Sequence, residues 1–238
     1  MSDAIKRQEK DRAAVSAAAL VKDGMIIGLG TGSTAERVIR LLGDRVKAEG
    51  LAIRGVPTSL RTELLAIECG IPLTSLTAHP LLDLGIDGAD QVDARLNLLK
   101  GGWGSQTREK VVSYAAQKLI ICVESVKVVE HLYRPVPIEV LPYAVTVVSQ
   151  QVNALGGKPG LRLDGSRGGY FITEQGNLII DADFGVIRDP NELSVALSAI
   201  VGAVEHGIFT NAAEVHVGTA QGVTILKKAS VTKRKGEA

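Results

Sequence analysis

The 238-residue chain carries 27 Lys and Arg against 26 Asp and Glu, with 45% apolar and 22% charged residues. Those proportions suit a soluble globular fold with a sizeable core and exclude a collagen-like repeat, a disulfide scaffold and a charged disordered chain. A formal charge of +1 and 3% aromatics supply neither a basic field nor a stacking platform for nucleic acid, and no attraction to an acidic membrane, so any anion must be held by a local site.

In chain order the pattern predicts a helix to Val21, a strand at Met25–Leu29, a helix at Thr34–Lys47, a strand at Ile53–Val56 and a helix at Leu60–Cys69. Further strands at Leu84–Asp87 and Leu119–Val123 flank a helix from Gln106 to Gln117. Helices alternating with short β-branched runs imply an α/β fold, a mostly parallel sheet with helices on both faces, whose site lies at the strand carboxyl ends. Ala13–Val21 could imitate a secretion signal. Acidic Asp3, Glu9 and Asp11 among the preceding bases, and Lys22-Asp23-Gly24 after it, argue for a helix instead.

The texture changes at Tyr133-Arg134-Pro135-Val136-Pro137, where a helix cannot continue. Beyond it the expected order is strand (Ile138–Leu141), helix (Ala144–Leu155), strand (Leu161–Leu163), strand (Leu178–Ala182), helix (Asn191–Ile200) and a strand near Gly207–Thr210. That βαββαβ order describes a smaller ferredoxin-like α+β domain. Two strands within Ala213–Leu226 then return to the first sheet. The expected organisation is therefore an α/β catalytic domain of residues 1–130 and 207–238 with residues 131–206 inserted. The basic cluster Lys227-Lys228 and Lys233-Arg234-Lys235 reads as a solvated tail. No segment approaches the ~18 apolar residues of a membrane span. Two distant cysteines, Cys69 and Cys122, in apolar surroundings fit buried thiols in a reducing, cytoplasmic setting.

Three segments could carry chemistry. Gly28-Leu29-Gly30-Thr31-Gly32-Ser33-Thr34 is a glycine-rich turn between a strand and a helix, able to cradle a phosphate on free amides at the positive end of the helix. Ser33 stands where a dinucleotide loop wants its third glycine, no acidic residue ends the next strand, and the lysine of a nucleotide-triphosphate loop is missing. A plain capped turn remains an alternative at this point. Asp87-Gly88-Ala89-Asp90-Gln91-Val92-Asp93 places three carboxylates after an apolar strand. Their spacing is wrong for calcium, and they serve either to hold hydroxyls and move protons or to stabilise turns. Lys100-Gly101-Gly102-Trp103-Gly104-Ser105 is a second glycine turn, with Ser105 as a helix cap. Composition alone favours Arg108, Glu109 and Lys110 as ordinary solvated helix charges, but Glu109 lies early in that helix, where its side chain can point back over the strand ends. Lys100 offers a cation for an oxyanion or phosphate. Lys10 and Lys127 are weaker candidates. His79, His131, His206 and His216 have no partners at metal-ligand spacing and no nucleophile motif, so neither a metal nor a catalytic triad is expected.

Taken together and in order, GLGTGST (28–34), PTSLRTE (57–63), DGADQVD (87–93), KGGWGSQTREK (100–110), PVPIEVLP (135–142), TEQGNLIIDADF (173–184) and GIFTNAAEV (207–215) resemble ribose-5-phosphate isomerase of type A. The resemblance runs from about Lys10 to Leu226. It implies interconversion of ribose 5-phosphate and ribulose 5-phosphate with no cofactor, in a cytoplasmic homodimer or homotetramer. It makes Glu109 the general base and Thr31, Gly32, Ser33 and Thr34 one substrate loop. Asp87, Gly88, Ala89 and Asp90 form a second loop, and Lys100, Gly101, Gly102 and Trp103 a third. Lys127 and Lys10 are further contacts. One carboxylate over C1 and C2 can carry the proton through an enediolate. Lys100 and loop amides meet the developing charge, and Asp87 or Asp90 assists ring opening. Two positions depart from the family's pattern: Trp103 replaces a small residue, and Val126 replaces the serine that commonly precedes the lysine matching Lys127. The indole is expected to pack outward against a neighbouring loop or subunit.

Alternatives within the same fold group are a coenzyme A transferase, which would use a glutamate as nucleophile, and a hexosamine-phosphate deaminase. A non-catalytic sugar-phosphate sensor would need an output module, and no basic recognition helix is legible in either half.

Overall fold

The computed structural model describes residues 2–165 and 168–228. Helix α1 (Asp3–Ala18) is capped by Ser2, whose Oγ accepts the Ile5 amide. It stops three residues before the expected end, because Leu20 and Val21 turn back on the carbonyls of Ala17 and Ala18. Strand β1 (Ile26–Leu29) enters the glycine turn and helix α2 (Ser33–Glu49), which ends on Gly50 in the left-handed region. Strand β2 (Arg54–Pro57) leads into helix α3 (Leu60–Glu68), capped by Ser59. Then follow β3 (Leu84–Asp87), the short strands β4 (Gln91–Val92) and β5 (Leu98–Leu99), helix α4 (Gln106–Ala115) and β6 (Leu119–Glu124). Ser105 stands at the N-cap of α4 without the expected side-chain bond, and its carbonyl accepts the Glu109 amide at 2.9 Å. The helix stops at Ala115 rather than Gln117 because the Gln117 amide is drawn to Leu82 O.

The second half contains β7 (Val136–Val140), α5 (Val145–Ala154), β8 (Lys158–Leu161), β9 (Leu178–Asp183), α6 (Pro190–Ser198) and β10 (Ala203–His206). Its sheet runs β10-β7-β9-β8, all antiparallel. This is the ferredoxin-like order, with the fourth strand beside the first. Two strands differ from expectation. The third element of the pattern lies at Lys158–Leu161 rather than Leu161–Leu163, on an edge where Pro159 costs no ladder bond. The sixth element is Ala203–His206, upstream of Gly207. The apolar run after Gly207 forms β11 (Ile208–Phe209), which pairs instead with β5 in a three-stranded sheet β11-β5-β4.

Strands β12 (Ala212–Gly218) and β13 (Val223–Lys227) return to the first sheet, whose order is β13-β12-β6-β3-β1-β2, parallel except for β13. Lys227 is therefore a strand residue paired with Glu214 at 3.2 Å rather than part of a tail; Lys233-Arg234-Lys235 lie outside the described residues. One sheet face is covered by α1, α2 and α3 through Ala14, Ala17, Val38, Leu42 and Leu65. The other is covered in part by α4, where Val112 meets Val56 and Leu82. The small sheet packs Val92, Leu98 and Phe209 on Ile121, Val123 and Val215, while Leu99 and Ile208 join the core of the second sheet. Both thiols are free and buried. Among the described residues no helix is long and apolar enough to cross a membrane.

Candidate active site

Because β1, β3 and β6 are parallel, the turns after Leu29, Asp87 and Glu124 emerge on one sheet edge, and the third sheet delivers Lys100 to the same place. Lys10, Thr31, Gly32, Ser33, Thr34, Gly88, Ala89, Asp90, Lys100, Gly101, Gly102, Trp103, Glu109 and Lys127 all line one pocket there, together with Glu124. Asp87 lies beneath it.

The turn after β1 is shaped by two close approaches. A Cβ on Gly30 would stand 2.3 Å from the Asp87 carboxylate, so only glycine lets the loop lie on that side chain. Gly32, with φ of 118°, opens α2 in a conformation that suits glycine. The Thr31 amide donates to Asp87 Oδ1 at 3.1 Å, tying the loop to the end of β3. The Thr31 hydroxyl turns inward to those of Thr58 (2.7 Å), Ser59 (2.8 Å) and Thr62 (3.1 Å). Ser33 faces out, and its Oγ accepts from Lys10 Nζ at 2.8 Å. The start of α2 thus presents amides, a positive helix end and an ammonium group together, the elements of an anion site.

At the floor, Lys100 is 3% exposed, and its Nζ lies 2.9 Å from Asp87 Oδ2 and 3.2 Å from Glu109 Oε2 while donating to Gly88 O at 2.6 Å. The Phe209 ring centroid lies 5.6 Å from the same ammonium. Burial opposes the Lys100 charge, but Asp87 and then Glu109 outweigh it and hold its pKa above the ordinary value. Glu109, in the first turn of α4, is pushed up to about 8 by burial, with Lys100 pulling the other way and Asp87 adding to the rise. Asp87 is raised by burial against the pull of Lys100. One cation thus serves more than one buried carboxylate. Glu109 Oε2 accepts no well-aligned hydrogen bond despite the nearby ammonium.

The three aspartates separate by role. Asp90 accepts from the Gly102 amide at 2.9 Å and holds the third loop. Asp93 closes its own turn by accepting from the Arg95 and Asn97 amides and stands outside the pocket. Lys127, at the end of a single 3₁₀ turn, has no carboxylate partner among the described residues. Trp103 is 53% exposed at the rim. Its Nε1 is 3.6 Å from the point where a Gly32 Cβ would stand, and the Arg61 guanidinium lies 5.0 Å from its ring centroid. The indole does pack on a neighbouring loop, yet it also forms a wall of the pocket.

Glu124, Phe209 and Arg61 escape the sequence reading. Glu124 ends β6, and its Oε1 lies 3.8 Å from Lys10 Nζ; an acidic residue closing a core strand was the available signal. The other two approach only through tertiary packing.

Residues 54–222 match the family model of ribose 5-phosphate isomerase A, also called phosphoriboisomerase A. The chain belongs to this family. A ribose-5-phosphate isomerase A of Methanosarcina acetivorans is 50% identical over 90% of this chain and 92% of its own. The structure of ribose 5-phosphate isomerase A from Methanocaldococcus jannaschii superposes with a TM-score of 0.89 at 44% identity, covering 92% of this chain and 98% of that one. A D-ribose-5-phosphate isomerase in complex with phospho-erythronic acid is 43% identical with a TM-score of 0.89, covering 92% of this chain and 97% of its own. With ribose 5-phosphate isomerase A as the family, the resemblance and the mixed α/β architecture of the sequence reading are borne out, and the chain is an isomerase.

Proposed function

We propose that the chain interconverts D-ribose 5-phosphate and D-ribulose 5-phosphate, a step of the non-oxidative pentose phosphate pathway, by one proton transfer through an enediolate. The observation that carries the reading is the buried Lys100 ammonium between Asp87 and Glu109 at the floor of a pocket whose rim is a helix N-terminus. The substrate phosphate belongs on Gly32, Ser33 and Thr34 with Lys10 and Lys127, and Thr31 shapes that loop from behind. The carbonyl end reaches the floor. The relative that holds phospho-erythronic acid supports a ligand with a phosphate at one end and a carboxylate, close in shape to an enediolate, at the other.

Starting from the aldose, Glu109 takes the proton from C2 while charge develops on O1, where Lys100 and the amides of the Gly101-Gly102 turn stabilise it. The C2 hydroxyl proton passes to O1 as O2 becomes the carbonyl, and Glu109 delivers its proton to C1. No bond to water forms, and no electron leaves the substrate. Asp87 or Asp90 assists ring opening, and Gly88 and Ala89 supply the backbone beside them. The Lys100 ammonium occupies the space between Asp87 and Glu109 that a divalent ion would need.

We also assign residues 131–206 to a ferredoxin-like domain inserted between the 1–130 and 207–238 parts of the catalytic domain, a division supported by the separate sheets. A cytoplasmic homodimer or homotetramer fits the buried thiols and the exposed Tyr143 and Val201; light scattering tests the assembly. The activity is tested by following ketose formation from ribose 5-phosphate in deuterium oxide. Turnover with deuterium entering at C1 supports the reading, and no turnover overturns it.

A further inference from the structure

The two ends of the pocket are held at a fixed separation. The amide of Thr31, in the turn that opens α2, is bonded to Asp87, and Asp87 is bonded to Lys100 on the reaction floor. Gly30 rests on the same carboxylate so closely that no side chain fits between them. A sugar phosphate anchored at both ends must therefore span a constant gap. A chain one carbon longer cannot lengthen along the pocket and has to bow out through the open side. That side is rimmed by the exposed residues Ser33, Gly102 and Trp103.

Trp103 is the bulky member of these three, and it is braced. Its Nε1 edge lies against Gly32, and the Arg61 guanidinium lies over its ring at 5.0 Å. Arg61 is itself held by Glu36 in the first turn of α2, with Nε to Oε1 at 2.7 Å. The indole therefore cannot swing away without losing a cation–π contact tied to the helix that carries the anion site. We propose that Trp103, braced by Arg61, sets the substrate length, admitting a five-carbon aldose phosphate and rejecting its six-carbon homologue. The inference rests on the isomerase reading above and goes beyond it to the selection among sugar phosphates.

The test compares kcat/KM for D-ribose 5-phosphate with that for D-allose 6-phosphate, the aldohexose phosphate with the same hydroxyl configuration. Wild type, Trp103→Gly, Trp103→Phe and Arg61→Ala are measured. The extra carbon of the hexose is an H–C–OH unit, larger than the methylene that is worth about tenfold or more in discrimination against a fixed wall. The hexose-to-pentose ratio is therefore expected to rise at least about tenfold in Trp103→Gly and less in Arg61→Ala, and to stay near wild type in Trp103→Phe, which keeps the bulk. An unchanged ratio in both Trp103→Gly and Arg61→Ala, or an equal rise in Trp103→Phe, overturns the proposal. Should Trp103→Gly not fold, the Arg61→Ala ratio decides alone. Loss of the isomerase reading looks different: wild type would then turn over neither sugar.

Discussion

Lys100 Nζ and Glu109 Oε2 stand 3.2 Å apart, both residues 3% exposed, yet the ammonium has three oxygen neighbours and the carboxylate oxygen no well-aligned donor. The pair is thus lopsided: the cation is fully occupied, and the base is only partly compensated. Burial then dominates Glu109 and carries its pKa to about 8. A base must be ionised to act, so kcat/KM is expected to rise with pH through about 8 and to level off above it. Replacing Asp87 by Asn removes a negative neighbour and should move that limb downward. A pH profile with its acid limb near 4.5, the ordinary value for Glu, would show that burial does not raise the Glu109 carboxyl in the working enzyme.

Glu109→Gln is expected to lower kcat by about 1,000-fold or more while ribose 5-phosphate binding stays within about tenfold, since the amide keeps the shape but takes no proton. The same substitution has a stability signature. The folded-state pKa lies above the unfolded one, so between about 4.5 and 8 the folded protein binds more protons and wild type loses stability as pH rises. Gln does not titrate. The Tm of the variant relative to wild type should therefore climb from pH 5 to pH 8.5, which paired thermal melts would detect.

Gly30→Ala tests the approach of loop to carboxylate. The added Cβ meets Asp87 at 2.3 Å, backbone included at 2.6 Å, so either the β1 turn or β3 must move. A destabilisation of about 1–3 kcal/mol is expected from overpacking. Because the loop and the floor shift together, KM should rise along with a fall in kcat. Denaturant melts and steady-state kinetics at one pH are sufficient to check both.

Much of this was legible from residue order. GLGTGST, DGAD and KGGWGSQTREK each sit where an apolar run ends; parallel strands bring the first two to one edge, while the third arrives there through the small antiparallel sheet. What stayed hidden has a common physical cause: it depends on contacts distant in sequence or on elements too short to show a period. Strands β4 and β5 are two residues each, so Leu98-Leu99 carries no alternation to read. Ile208-Phe209 drew a strand into the wrong sheet because its apolar signal is stronger than that of Ala203–His206, whose Glu205 is turned to Lys110 at 2.7 Å. The inward turn of the Thr31 hydroxyl required Thr58, Ser59 and Thr62 to be brought alongside by β2 and α3. Trp103 on the rim likewise depended on Arg61, some forty residues earlier.

Glu139 shows how the second sheet reaches the base. It is fully buried on β7, and its carboxylate accepts from the Thr107 hydroxyl on α4, from Thr173 Oγ1 at 2.8 Å and from Asn177 Nδ2 at 2.9 Å. Thr107 stands two residues before Glu109, so this cluster anchors the first turn of the helix that carries the proposed base. Glu139→Ala leaves buried Thr173 and half-buried Thr107 and Asn177 short of a partner, and a buried orphan costs about 1–3 kcal/mol. A loss of about 3 kcal/mol or more in denaturant melts is expected, with cavity formation adding to it. The kinetic consequence distinguishes anchoring from general weakening. If the cluster positions α4, kcat falls by about tenfold at a temperature where the variant is still folded, KM for ribose 5-phosphate changes little, and Glu139→Asp recovers part of the loss. Equal kcat in folded Glu139→Ala and wild type would confine Glu139 to holding the two sheets together.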